Sequence, residues 1–121
     1  MKYALLIFGE ESGQAESSDE QMAQVMVEYG KFTAAINASG HNLGGEAVDS
    51  TSTATTVRVR DGETLVTDGP FAETREALGG FYLIEAADLD EATEIASRLP
   101  GSWYGSVEVR PVWDWEQSQQ A

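Results

Sequence analysis

No cysteine occurs in the 121 residues, which excludes disulfides, thiolate metal sites and cysteine nucleophiles. A single histidine, His41, excludes a metal site built from several imidazoles, and no metal is expected. Bases are scarce: 7 Lys and Arg stand against 21 Asp and Glu, for a formal net charge of −14. A field of that sign repels duplex DNA and anionic lipid, so neither nucleic acid nor membrane is an expected partner. Long apolar runs are missing too. The run from Tyr3 to Phe8 has six residues, too few for a signal-peptide core or a membrane span, and the chain is expected in the cytoplasm. The P-loop, HExxH, GxSxG and GxGxxG patterns do not occur, and no cofactor is expected.

What is present suits one domain. A chain of this length buries roughly 65–70% of the surface it exposes when unfolded, enough for a real core. The domain is read as residues 1–113, with a short C-terminal tail at 114–121.

Tyr3 to Phe8 reads as a strand covered on both faces. Met22, Val25, Met26, Tyr29, Phe32 and Ile36 follow steps of three and four, which predicts a helix. Ser18 and Gln21 form a capping-box pair at its start, and Gly40 stands at its end. A second strand is expected from Leu43 through Val48. Thr56 to Arg60 alternates, Asp61-Gly62 is a type I′ turn signal, and Thr64 to Thr67 returns as the other half of a hairpin. Another strand is expected to begin at Phe81, after Gly79-Gly80. Asp88 and Glu91 cap a second helix with a stripe at Leu89, Ala92, Ile95, Ala96 and Leu99, ended by Pro100-Gly101. Ser106 to Val112 closes the series.

The order is a split β-α-β-β-α-β, ferredoxin-like, with an extra hairpin: an α+β fold whose antiparallel sheet carries two helices on one face. Tyr3 to Phe8 and Phe81 to Ile84 place apolar residues on both faces. The face away from the helices therefore needs a cover, and a homodimer packed sheet against sheet is the expected one.

The connection "VTDGPFAETREALGGFY" joins a turn, an aromatic residue and several carboxylates. Gly69 suits positive φ and Pro70 fixes the φ that follows. Asp68 is expected to bond amides ahead of it, and Phe71 to anchor the turn in the core or at a dimer seam. Asp68 and Glu73 are candidate general bases at the mouth of a cleft. Glu46, after Gly44-Gly45, would join them if it pointed into the same cavity, and otherwise faces solvent. His41 is a candidate ligand contact that otherwise bonds the end of the first helix. Arg58 and Arg60 share a hairpin face and suggest cross-strand ion pairs.

The stretches "TATTVRVRDGETLVTDGPFAETREALGGFYLIEAADLDEA" and "YGSVEVRPV" resemble the DGPF-domain branch of the YCII-related family. That resemblance implies a dimeric α+β barrel, related in shape to muconolactone isomerase, in a stress or signalling context. Better-studied members of the wider family carry a histidine in the first helix, acting with a carboxylate. Here Glu28 and Tyr29 occupy that part of the helix, so Tyr29 joins Phe71 and His41 as a candidate ligand contact. Two functions follow as expectations. One is a dimer that binds a small molecule. The other is a small enzyme using carboxylate acid–base chemistry on a polar substrate.

Overall fold

Strand β1 (Lys2–Gly9) sits at the centre of the sheet and organises the rest. Its odd residues Tyr3 and Leu5 are buried, while its even residues Ala4, Leu6 and Phe8 are half-buried. Its two edges are both hydrogen-bonded, so β1 has a neighbouring strand on each side. On one side it pairs antiparallel with β5 (Ala77–Glu85), and on the other with β6 (Ser106–Pro111). Strand β2 (Asn42–Ala47) lies outside β5, giving the sheet order β2-β5-β1-β6. The structure is a computed structural model, described here for residues 1–11 and 18–115. Most of the acidic segment after β1, and the tail beyond Trp115, lie outside the described residues.

Two long helices cover one face. Helix α1 (Asp19–Ala38) starts at the Ser18–Gln21 capping box, with both reciprocal bonds formed. It ends in a Schellman motif: Gly40 has φ 79°, the His41 N–H reaches the Ile36 carbonyl at 3.0 Å, and the Gly40 N–H reaches Asn37 at 3.2 Å. Helix α2 (Leu89–Ser97) is capped by Asp88, whose carboxylate accepts from the Glu91 N–H at 2.9 Å. Phe32 and Ile36 from α1 meet Ala92, Ile95, Ala96 and Leu99 over Tyr3, Leu5 and Ile84 in one core. Two short elements went unforeseen: a 3-10 turn at Thr51–Thr53 and helix α3 (Gly101–Tyr104).

The expected stripe on α1 extends only half-way into the core. Met22 and Met26 are exposed. A helix of 20 residues is about 30 Å long, more than the sheet beneath it can cover. Strand β5 also starts earlier than expected, at Ala77, with both glycines inside it. Gly79 is the extra residue of a bulge between the pairs Ile7–Gly80 and Phe8–Leu78. A Cβ on Gly80 would lie 2.8 Å from the Glu46 carbonyl oxygen, so β2 approaches β5 closely there.

Strands β3 (Thr55–Arg60) and β4 (Glu63–Asp68) form a separate hairpin around Asp61 and Gly62, whose φ angles are 53° and 77°. This ferredoxin-like α+β arrangement with an added hairpin is the one the sequence order implies.

Candidate functional site

Two hollows lie where the DGPF turn meets the end of the sheet. One, of about 430 Å³, is bounded by Glu11, Ser50, Thr51, Pro70, Glu73 and Thr74, among others. A second, of about 400 Å³, shares Ser50, Thr51, Pro70 and Thr74 with it. Its walls add Phe8, Leu78, Val48 and Phe71. Phe8 and Leu78 pair in register and belong to the sheet face turned away from the helices. The combined hollow therefore has an apolar floor at the sheet end and a rim of hydroxyls and carboxylates.

Glu11 is the most firmly placed carboxylate of that rim. Its oxygens accept from the Thr51 N–H at 2.8 Å and from Thr51 Oγ1 at 2.7 Å. The Thr51 hydroxyl, and then its amide, hold the Glu11 carboxyl below the ordinary glutamate range. Beside it, Arg75 Nε donates to Glu10 at 2.6 Å, and Ser106 Oγ donates to Glu76 at 3.3 Å. These bonds tie the segment after the turn to the end of β1 and the adjoining start of β6.

Backbone groups and a threonine hold the DGPF turn. Gly69 has φ 98°, in the left-handed region that favours glycine. Its N–H donates to the Ala54 carbonyl at 2.7 Å, and Thr56 Oγ1 donates to the Gly69 carbonyl at 2.7 Å. The Asp68 carboxylate is exposed and takes no part in these bonds, contrary to expectation. Phe71 is 77% exposed and so does not plug the core of its own chain; Pro70 and the bonds to Ala54 and Thr56 set the turn without it.

Of the three candidate carboxylates, Glu73 alone lines either of these two hollows. Glu46 stands opposite Phe81 on the open sheet face, in a row that continues through Leu6 to Glu108. Asp68 ends β4, paired with Thr55. The candidate ligand contacts separate in the same way. Phe71 lines the hollow, whereas Tyr29 and His41 lie on the helix side.

His41 links the two long helices. Its Nδ1 is 2.6 Å from Ser39 Oγ and its Nε2 is 3.1 Å from Glu91 Oε1. Glu91 also accepts from the Ala87 N–H at 3.0 Å. The arrangement is a clasp between the end of α1 and the start of α2. The Tyr29 phenol is pushed above its ordinary range by burial and then by the neighbouring Tyr82, while a hydrogen bond with the Gly101 backbone opposes the shift. Tyr82 in turn shares a 2.8 Å hydrogen bond with Thr33 and packs edge-on against Phe32.

Among the described residues, no three His, Asp or Glu side chains cluster to hold a metal ion. No helix among them is long and apolar enough to cross a membrane. Sequence reasoning missed Glu11 and Thr51, 40 positions apart, because nothing local couples them. Their signal in the chain is slight: an acid after the first strand and a Ser/Thr-rich run after the second.

Residues 1–116 match the YCII-related domain. The chain belongs to the YCII-related family. An uncharacterised protein of Rhizobium meliloti (strain 1021) is 43% identical over 115 residues, covering 93% of this chain and 92% of that one. The match spans the sheet, both long helices and the hairpin, so the hollow lies within the family domain.

Proposed function

We infer that this YCII-family chain is a small-molecule-binding homodimer of the DGPF branch, with the ligand seated in the hollow beside the DGPF turn. One observation carries the reading: the hollow joins an apolar floor (Phe8, Leu78) to a polar rim (Glu11, Thr51, Glu73) at the end of the open sheet face. Small-ligand sites commonly combine an apolar lining with a few fixed polar groups. The Glu11–Thr51 bonds supply that fixed polarity, and the rigid Gly69-Pro70 turn holds the opposite wall. The ligand this favours has an apolar body and a hydrogen-bonding or cationic end. Through ligand occupancy the dimer would report on a stress or signalling state.

Thermal shift with a panel of small amines, phenols, lactones and carboxylic acids tests the reading. A compound that binds the native state raises its melting temperature. The expected result is stabilisation by members carrying a polar end, lost in Thr51→Val. No stabilisation across the panel overturns it.

The acid–base reading finds less support. Asp68 and Glu46 do not share the hollow with Glu73, and paired carboxylates act on one substrate only when both reach it.

A further inference from the structure

The charges around the two hollows are all of one sign. Glu11 and Glu73 line the first, and Asp49 and Glu76 line the second. No basic side chain stands in either wall. All seven Lys and Arg of the chain, and His41, lie among the described residues, and none of them lines either hollow. Arg75, which lies between Thr74 and Glu76 in the chain, donates to Glu10 at 2.6 Å instead. An anionic ligand would be repelled by four carboxylates with no base to offset them.

Three of those carboxylates already have partners. Both oxygens of Glu11 accept from Thr51, Asp49 accepts from the Ser50 N–H at 2.7 Å, and Glu76 accepts from Ser106 Oγ at 3.3 Å. Glu73 makes no hydrogen bond or ion pair among the described residues. It is the carboxylate left open, in the same hollow as the fixed charge of Glu11. The second hollow supplies the complement: Phe8, Val48, Phe71 and Leu78 line it. The two share Ser50, Thr51, Pro70 and Thr74, so they adjoin and one molecule can occupy both. A metal ion fits poorly, because among the described residues no three His, Asp or Glu side chains cluster to ligate one. It would also leave the apolar wall unused.

We propose that the ligand of this site is an organic ammonium: its cationic end contacts Glu73 beside Glu11, and its hydrocarbon body lies against Phe8, Leu78 and Phe71. Aromatic rings attract cations as well as hydrocarbon, so Phe8 and Phe71 suit both parts of such a molecule. The field of a chain of net charge −14 draws a cation toward the site. The inference rests on the ligand site of the proposed function and adds the sign of the ligand's charge and the residue that reads it.

Matched probes separate charge from shape. Phenylethyl, hexyl and cyclohexyl bodies, each carrying an amine, an alcohol or a carboxylic acid, are titrated into the protein at pH 7 and followed by calorimetry. The best amine should bind about tenfold more tightly than the alcohol of the same body, since hydrogen bonds to charged groups are worth more than neutral ones. The acids should not bind. Glu73 is exposed, so Glu73→Gln keeps the fold. It should weaken the amine by about as much and leave the alcohol unchanged. Glu63→Gln, an equal loss of charge on the hairpin outside both hollows, should leave the amine unchanged. Alcohols or acids that bind as tightly as the amines overturn the cationic ligand but leave the hollow standing as a small-molecule site. Full amine affinity in Glu73→Gln, or equal weakening in Glu63→Gln, overturns Glu73 as the contact. No binding by any probe overturns both the ammonium and the site.

Discussion

Glu11 and Thr51 are joined by two hydrogen bonds, 2.8 Å from the amide and 2.7 Å from the hydroxyl, across 40 residues of chain. The pair fixes the loop after β1 to the 3-10 turn after β2 and forms one corner of the hollow. Both bonds favour the ionised carboxylate.

Thr51→Val should therefore raise the Glu11 pKa back toward its ordinary value. An NMR titration following the Glu11 side-chain carbonyl checks this. If Glu11 titrates identically in both proteins, the Thr51 hydroxyl is not what holds it down.

Tyr29 sets the alkaline limb. Its folded-state pKa lies above the unfolded value, with burial as the main cause. Below the unfolded pKa of about 10 both states keep the proton, and this group adds no pH dependence. Above it the unfolded chain loses the proton first, so stability falls as pH rises through the folded pKa. Denaturant melts from neutral to strongly alkaline pH should show a decline that is shallower in Tyr29→Phe.

The DGPF turn should respond to Thr56 more than to Asp68. Thr56→Val removes the 2.7 Å bond to the Gly69 carbonyl and should cost about 1 kcal/mol. Asp68→Asn should change stability by less than about 0.5 kcal/mol, as an exposed substitution does. Urea melts of the two variants compare them directly, and a larger loss for Asp68→Asn would show a structural role for its charge.

Phe71→Ala should be nearly neutral for the isolated fold, within about 0.5 kcal/mol, because the ring is exposed. It should still weaken any compound found by thermal shift, since Phe71 walls the hollow. A loss near the ~3 kcal/mol of a buried aromatic truncation would place Phe71 in a subunit contact.

Gly80→Ala should be costly. The added methyl would meet the Glu46 carbonyl and the Ala47 Cα at 2.8 and 3.0 Å, and both are backbone atoms in a paired strand. Forcing β2 away from β5 should cost about 1–3 kcal/mol, read as a lower urea midpoint at unchanged slope. A midpoint equal to the parent's would mean that β2 is free to shift.

What the sequence determined by itself was local. The Ser18–Gln21 box, the Gly40 stop, the Asp88 cap and the Asp61-Gly62 turn each act within a few residues, and their chemistry is the same in any fold. The ferredoxin-like order followed from the succession of periods along the chain. Tertiary structure alone decided the rest. Gly79 and Gly80 resemble a loop until β1 and β2 come to lie on either side of them. Phe71 has the composition of a core residue, but the Gly69-Pro70 turn leaves it facing outward. Glu46 and Glu73 read alike in the chain. Strand register places one beside Phe81 on the open sheet face, and the chain path after the turn places the other at the hollow. Glu11 became a site residue only when pairing of distant strands brought Thr51 to it. Local rules set which elements form; register between strands tens of residues apart sets which side chains meet.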